Sequence, residues 1–392
     1  MVWRNKMEKP LWMICITHMF VEVFLLIQVA LIPVYVQEFK LSLLEASFVV
    51  TVPSFVQLFL NLPSGFLADR FKTKHLLFAS MVVEGLSAIF VSQTNNFWAL
   101  VLGVSVMRIS SPIYHISGMS RLSSFAKQEQ ISKSMGFHMA LGSVGQAIGS
   151  VSLAVFLFTV GWRWAYLFWA VPILAWGFIL LTSSQFENKG FQSLKNEKRV
   201  RSSQLSLFFS AGFLSFLLAI GIWQVGITAI STYMTTYLVE GRGFSQATAS
   251  LIFGFGPFIG IVGSLNGGYL GEKIGAKKAL SWAIFGCAIS LSILALVSHL
   301  YLLSLIYLLF AFFNNSVFSP MNTMVANLTP ITDRGLSYSL YFFTEGLVAS
   351  ITPTIVAGFL ELSGVWYVFP FSIIFLVTSL IVFQCIYHPR NQ

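Results

Sequence analysis

Charged residues are scarce in this sequence. Asp, Glu, Lys and Arg make up 9% of the 392 residues, whereas 56% of the residues are apolar. An ordinary soluble domain carries roughly 25% charged residues, so this chain has too few polar side chains to cover a water-soluble globule. The composition therefore predicts a membrane protein.

Cysteines and catalytic motifs are also few. The three cysteines form an odd number without metal-type spacing, which excludes a disulfide framework and a zinc site built from cysteines. No Gly-rich loop ends in Gly-Lys-Ser or Gly-Lys-Thr, which excludes an ATP-driven pump. No Ser-His-acid constellation is apparent, and the methionines and histidines form no repeated pairs at four-residue spacing. We therefore expect no enzyme activity, no bound metal and no cofactor.

Long apolar stretches recur about every 33 residues along the chain. A membrane-spanning helix needs about 20 apolar residues, so twelve spans fit, including one over 11–35 and one over 97–119. Strands would instead show alternating apolar positions in short segments. The predicted fold class is an all-α membrane protein with twelve transmembrane helices.

Basic residues fall mainly on one side of these spans. Of the 23 Lys and Arg residues, 19 lie on the side of both termini, three lie on the opposite side and Arg108 lies within a helix. The positive-inside rule then places both termini in the cytoplasm of a multi-pass protein of the inner (cell) membrane. The net charge of +9 is spread over seven short segments, so no nucleic-acid partner is expected.

The sequence repeats itself with a long period. The run from Gly65 to Arg70 and the run from Gly268 to Lys273 both read Gly-x-Leu-x-acid-base, and they begin 203 residues apart. Gly161 and Gly364 show the same separation. The repeat predicts two pseudo-symmetric six-helix bundles, at 1–183 and 204–392. The polar and basic segment 184–203 joins them as a cytoplasmic linker, which is either a solvated connector or a regulatory element.

The run from Gly65 to Lys74 resembles the loop 2–3 signature of the major facilitator superfamily, and the run at Gly268 resembles its loop 8–9 counterpart. Lys72 stands where the family usually has a second glycine, whereas the second copy keeps Gly275. The resemblance covers the whole chain. It implies the major facilitator fold and secondary transport by alternating access.

These two runs also predict a conformational latch. A glycine lets a neighbouring helix approach closely, and an acidic side chain can meet the positive end of that helix. The predicted latch residues are Gly65, Asp69, Arg70, Gly268, Glu272 and Lys273. In the alternative interpretation, the basic residues of the first run are only positive-inside anchors.

Three shorter motifs resemble drug exporters of the fosmidomycin-resistance type. They are His18-x-x-x-Glu22, Tyr114-His115-x-x-Gly118 and Gly136-x-His138. The first motif more often ends in Asp, and in those exporters a proline usually follows the histidine of the second, where Ile116 stands here. We expect His115 and His138, near the cytoplasmic ends of their helices, to be solvated and structural.

Four charged residues lie inside predicted spans, where each costs at least about 2.5 kcal/mol. They are Glu22, Glu84, Arg108 and Glu345. Glu22 and Arg108 both lie roughly 16 Å deep at 1.5 Å per residue. In the resembled family, helices 1 and 4 line the central cavity, which implies that these two residues face one another.

We expect the three acids to carry protons that couple to transport. Burial favours the neutral form of a carboxyl group and a nearby cation favours the charged form, so a conformational change could switch Glu22. His18 shares its helix face and joins the predicted proton-coupling set. Alternatively, Glu22 and Arg108 form a permanent ion pair, Glu84 pairs with Arg108, and Glu345 makes only an interhelical hydrogen bond.

Arg108 is predicted to attract an anionic substrate. Polar interruptions in apolar helices need partners, and a cavity supplies water or substrate. The further predicted substrate-binding residues are Gln28, Trp223, Gln224, Tyr233, Asn314 and Asn315.

Helix 5 carries Gly142, Gly145 and Gly149, a face of small residues that allows close helix packing. The face resembles the antiporter signature of the family, although Ser150 stands where that signature has proline. The pattern suggests export; a packing face that recurs by duplication is the alternative.

Taken together, these features predict a secondary active transporter that exports a small amphipathic or anionic organic compound with proton coupling. We expect a monomer whose partners are the substrate, protons and the lipid bilayer. Two alternatives stay open. One is an importer or uniporter of a nutrient or metal chelate, and the other is a membrane sensor or scaffold that transports nothing.

Overall fold

The computed structural model describes residues 9–125, 131–184, 211–328 and 334–386. Over these ranges the chain is helical, without strands, and twelve helical stretches are long and apolar enough to cross a membrane. Many large apolar side chains face outwards, such as Leu362 at 92% exposure and Phe59 at 72%. An exposed apolar surface of this kind suits contact with lipid.

The helices divide into two compact units. The first unit is Met1–Leu41, Phe48–Ser193 and Gln246–Gly254, and the second is Ser42–Ser47, Leu194–Ser245 and Phe255–Gln392. Apart from Ser184, the linker predicted at 184–203 lies outside the described residues.

The described helices before residue 185 supply six of the twelve spans. These helices are α1 (Lys9–Glu22), α2 (Leu25–Ala30), α3 (Ile32–Phe39), α4 (Leu43–Arg70), α5 (Thr73–Gln93), α6 (Phe97–Met107), α7 (Ser110–Phe125), α8 (Ile131–Thr159) and α9 (Arg163–Thr182). The principal packing pairs are α5 with α9, α1 with α8, α5 with α7 and α1 with α7.

The described helices after residue 210 supply the other six spans. These helices are α10 (Ala211–Thr236), α11 (Gln246–Ile274), α12 (Ala276–Leu296), α13 (Leu300–Ser316), α14 (Phe318–Leu328), α15 (Arg334–Ser363) and α16 (Val368–Ile386). A π-helical turn, Tyr237–Gly241, follows α10, and a 3-10 turn, Val365–Tyr367, precedes α16. Within the second unit, α10 packs against α15 and α16, and α12 packs against α13 and α16.

Three spans that were predicted as single helices are broken. The first divides into α1, α2 and α3, the fourth divides into α6 and α7, and the tenth divides into α13 and α14. Pro112 explains the second break, because proline has no N–H to donate to the carbonyl four residues earlier and its ring clashes with that carbonyl. That carbonyl belongs to Arg108, which ends α6. Pro33 acts in the same way at the start of α3.

A glycine face on α8 brings that helix against α1. A Cβ atom added at Gly145 or Gly149 would collide with the backbone carbonyl of Met19 or Val23, respectively. A Cβ at Gly142 would collide with the His18 ring. These glycines therefore allow close packing and leave room for the His18 side chain.

Candidate functional site

A small cavity opens in the first unit where the broken first and fourth spans meet α5. Side chains of α1, α2, α5 and α7 and of the end of α6 line it: Val21, Phe24, Leu25, Gln28, Glu84, Met107, Arg108, Ser110 and Ser111. Its free volume of about 10 Å³ holds about one water molecule. Irregular backbone at membrane depth is tolerated where it lines such a cavity, so the helix breaks and the cavity occur together.

Arg108 lies at the helix break beside this cavity. Its backbone N–H still bonds to Val104, and the next N–H bonds only three residues back, from Ile109 to Val106. The half-buried guanidinium forms no ion pair with any carboxylate of the described chain. Coulombic interactions nevertheless connect it with Glu22 and Glu84. Arg108 therefore presents a cation to the cavity without a direct counter-ion.

Glu84 reaches the same cavity from α5. Its side chain is buried, and Oε2 accepts a hydrogen bond of 2.9 Å from the Ser110 hydroxyl. Ser110 is the first residue of α7, and a helix N-terminus carries partial positive charge. The carboxyl group of Glu84 thus lies where the start of α7 and Arg108 both attract negative charge.

The remaining polar lining is directed at neighbouring side chains. Gln28 Nε2 lies 3.6 Å from the sulfur of Met107, a weak acceptor. Ser111 Oγ accepts a hydrogen bond of 3.3 Å from Gln57 of α4. Gln28 was predicted as a substrate contact, and the structure places it on the cavity wall.

Glu22 has different neighbours from those expected. Its Oε1 lies 3.5 Å from His18 Nε2 and 3.6 Å from His115 Nε2, and its Oε2 accepts a hydrogen bond of 2.9 Å from Gln146 of α8. The structure pairs Glu22 with two histidines instead of with Arg108, because α1 packs directly against α7 and α8. Side-chain atoms of His18, Glu22 and His115 are close enough together to hold a metal ion.

His138 lies beneath this cluster. The expectation of a solvated His138 is wrong, because the residue is completely buried and its ring stacks on that of His18 at 3.9 Å. Tyr114 donates a hydrogen bond of 2.8 Å to the carbonyl of Ile14, so its oxygen accepts the 2.9 Å bond from His138 Nε2. His138 Nδ1 then carries a lone pair, and this atom has no hydrogen-bond partner among the described residues.

The predicted residues of the second unit are dispersed. Asn314 Oδ1 and Trp223 Nε1 are buried without a partner among the described residues, and the Tyr233 hydroxyl donates a 2.5 Å hydrogen bond to the carbonyl of Pro353. Gln224 bonds to Thr228, Asn315 bonds to the Ala311 carbonyl, and Glu345 accepts a 2.6 Å bond from Tyr341. None of these hydrogen bonds joins two of the predicted residues.

The predicted latch is only partly described. The surroundings of Gly65 and the side chains of Asp69 and Arg70 lie outside what the structure describes. Glu272 is exposed, and Lys273 Nζ lies 5.6 Å from the ring centre of Tyr269 on its own helix. The latch stays a prediction.

Sequence reasoning missed the partners of Glu22 and Glu84. Ser110 and Gln146 are ordinary polar residues in apolar helices, and nothing in their spacing indicates a contact. His115 belongs to the Tyr114-His115-x-x-Gly118 motif, but the motif does not indicate a contact with Glu22. The available signal was the face of small residues on α8, which shows that α8 packs closely but does not show against which helix.

The described fold and site define a multi-pass α-helical membrane protein with charged residues buried inside a helical bundle. A family model described as the Major Facilitator Superfamily matches residues 13–353 and 261–392. The chain therefore belongs to the major facilitator superfamily, whose members are secondary transporters and not enzymes.

Several named relatives have similar sequences. The "Nitrite extrusion protein" of Bacillus subtilis (strain 168) is 24% identical over 64% of this chain, and the match spans only 62% of that protein. The "Probable nitrate transporter NarT" of Staphylococcus haemolyticus is 21% identical over 70% of each chain. The "Fosmidomycin resistance protein" of Escherichia coli (strain K12) is 23% identical over 86% of this chain and 84% of that protein.

Solved structures agree on the fold. A crystal structure of a bacterial homologue of the human lysosomal transporter Spinster, described as inward-facing and unoccupied, aligns with a TM-score of 0.79. The alignment covers 98% of both chains at 13% sequence identity. At this identity the likeness concerns the fold alone. It confirms the predicted twelve-helix major facilitator architecture.

Proposed function

We propose that this transporter carries a small anion together with a proton. The observation that supports the proposal is that Arg108, Glu84 and the first residues of α7 line one cavity. A guanidinium stays charged in a protein, and a helix N-terminus attracts anions. An anion that reaches this cavity therefore meets two sources of positive charge.

Glu84 accounts for the proton. Its carboxyl group already accepts a hydrogen bond at the start of α7, where an incoming anion would bind. Two negative charges in a small buried space repel each other strongly, so the anion and an ionised Glu84 exclude one another. A protonated Glu84 tolerates the anion. The cavity holds about one water molecule as it stands, so the Glu84 side chain must also move to admit the anion.

The names of the relatives support an anionic substrate, since nitrite and nitrate are anions. A second candidate is exchange, in which the anion leaves the cell as a proton enters. The glycine face of α8, which resembles the antiporter signature, favours exchange, whereas the shared position of Glu84 and the anion favours co-transport. The two candidates predict opposite directions of proton movement relative to the anion.

The test is flux into proteoliposomes that contain the purified full-length protein, with nitrite, nitrate and fosmidomycin as probes. An imposed pH gradient, acid outside, should drive uptake of at least one probe. We expect R108Q to abolish the flux and R108K, which keeps the charge, to retain part of it. We expect E84Q to carry the anion without responding to the gradient.

Glu45 provides the matched control for these variants. It is exposed at the start of α4 and accepts a hydrogen bond from the Ser42 backbone. E45Q therefore removes a carboxylate that lies away from the cavity. E45Q should transport as the unmodified protein does. Equal flux in R108Q and E45Q, or no flux of any probe in the unmodified protein, would contradict the proposal.

A further inference from the structure

We propose that His18, Glu22 and His115 form a binding site for a divalent transition-metal cation such as Zn²⁺. This site lies outside the cavity lining, and the inference does not depend on anion transport. The two residues of α1 lie one helical turn apart, and His115 comes from α7.

Backbone carbonyls fix the tautomers of both histidines. His18 Nδ1 lies 2.8 Å from the carbonyl of His138, and His115 Nδ1 lies 2.9 Å from the carbonyl of Ser111. A carbonyl oxygen can only accept, so both Nδ1 atoms carry the hydrogen. Each neutral ring then has a lone pair on Nε2.

These lone pairs point at one another. The two Nε2 atoms are 3.2 Å apart, and Glu22 Oε1 lies 3.5 Å and 3.6 Å from them. Three acceptor atoms thus face one small space, and a cation in that space would satisfy all three. Metal-bound histidines commonly donate their other ring N–H to a backbone carbonyl, which is the arrangement seen for both rings.

The spacing fits a tetrahedral ion. Zinc binds His nitrogen and carboxylate oxygen at about 2.0–2.2 Å, and such bonds at tetrahedral angles separate the ligand atoms by roughly 3.3–3.5 Å. The separations of 3.2, 3.5 and 3.6 Å agree with that edge length. Three protein ligands leave a fourth position for water or another ligand.

Neighbouring side chains hold the three ligands in place. Gln146 donates to the other oxygen of Glu22 at 2.9 Å, and the His138 ring stacks on the His18 ring at 3.9 Å. Gly142 leaves the space that the His18 ring fills. The His115 side chain is 32% exposed, so an ion can reach the site from that side.

The experiment measures binding of the metal alone to the full-length protein, purified with a tag that contains no histidine. Titration calorimetry with Zn²⁺ should give one tight site per chain, and Co²⁺ should give the visible absorption bands of tetrahedral coordination. We expect H115Q to weaken Zn²⁺ binding at least 100-fold. Q146A removes only the hydrogen bond to the other oxygen of Glu22 and should weaken Zn²⁺ binding about 10-fold to 100-fold.

His75 provides the matched control, because it is an exposed histidine at the start of α5. H75Q should bind Zn²⁺ as tightly as the unmodified protein. Equal affinity in H115Q and H75Q, or no binding of either metal, would overturn the proposal. R108Q separates this inference from the proposed function, since we expect it to lose anion flux and to keep Zn²⁺ binding.

Discussion

Arg108 lies four residues before Pro112, so its carbonyl is the one that the proline leaves without a donor. The consequence is visible in the chain, because α6 ends at Met107 with Arg108 as its C-terminal cap. Ser316 and Pro320 show the same relationship in the second unit, where α13 ends at Ser316. A proline therefore breaks the fourth helix of each repeat, after 11 residues in α6 and after 17 residues in α13, and only the first copy places a charge there.

The helix break itself can be tested by restoring the missing donor. P112A gives the Arg108 carbonyl a partner, and we expect α6 and α7 to join, which removes the N-terminus of α7 from the cavity wall. Anion flux should fall about 10-fold or more, equivalent to about 1.4 kcal/mol in the barrier. Thermal stability should stay the same or rise, since proline is unfavourable inside a helix.

Pro172 is the control for this substitution. It lies inside α9 and does not line the cavity, so P172A should leave the flux unchanged. If P112A and P172A transport equally well, the break at Arg108 has no role in anion binding.

The packing of α8 against α1 predicts a graded response to alanine. G145A places a methyl group against the Met19 carbonyl, and overpacking of this kind costs about 1–3 kcal/mol. G142A meets the His18 ring, which is a side chain and can shift more easily than backbone, so the thermal stability of G142A should fall less. G212A is the control, because nothing lies within 4 Å of a Cβ there. Melting temperatures in one detergent give the order, and equal values for all three would contradict the packing described.

The ion pair between Glu38 and Arg163 should contribute little to the free energy of unfolding. Glu38 Oε1 lies 2.6 Å from Arg163 Nη2, and both side chains are about one-third exposed, at 33% and 31%. Pairs in contact with water contribute roughly 0.2–1 kcal/mol. A double-mutant cycle of E38Q and R163Q, read by thermal unfolding, should give a coupling energy in that range that shrinks with added salt. A coupling energy above about 3 kcal/mol would indicate a pair shielded from water.

The orientation in the membrane is open to a direct chemical test. K40C and K72C place single new thiols at exposed positions that are predicted to lie outside and inside the cell, respectively. An impermeant maleimide applied to intact cells should label K40C and should label K72C only after the cells are permeabilised. Cys15 and Cys287 are buried, so labelling of the unmodified protein serves as background. If intact cells labelled K72C and not K40C, the orientation in the membrane would be the opposite of the predicted one.

The sequence was sufficient to predict the fold class. Spans of about 20 apolar residues are required by the thickness of the bilayer, and the repeat at Gly65 and Gly268 pointed to two related halves. The break at Arg108 could also be predicted, because Pro112 cannot donate a hydrogen bond to the carbonyl four residues earlier. The break between α1 and α2 could not be predicted from the sequence, since no proline lies within the turn that follows Glu22.

The contacts of the site depended on tertiary packing. His18 and His115 are separated by 97 positions along the chain, and their meeting requires α1 to lie between α7 and α8. Depth in the bilayer indicated that Glu22 and Arg108 lie at similar levels, but depth says nothing about direction around the helix axis. The rotation of α1 that turns Glu22 towards the histidines therefore had to come from the structure.

Proton movement caused by the anion tests the central claim most directly. Proteoliposomes that hold a pH-sensitive dye would receive nitrite, nitrate or fosmidomycin from outside at equal pH on both sides, with the membrane potential clamped by valinomycin and K⁺. Co-transport predicts that the interior becomes acidic when a transported anion is added, and that R108Q abolishes the change. An interior that becomes alkaline, or a response equally large in R108Q, would contradict the account.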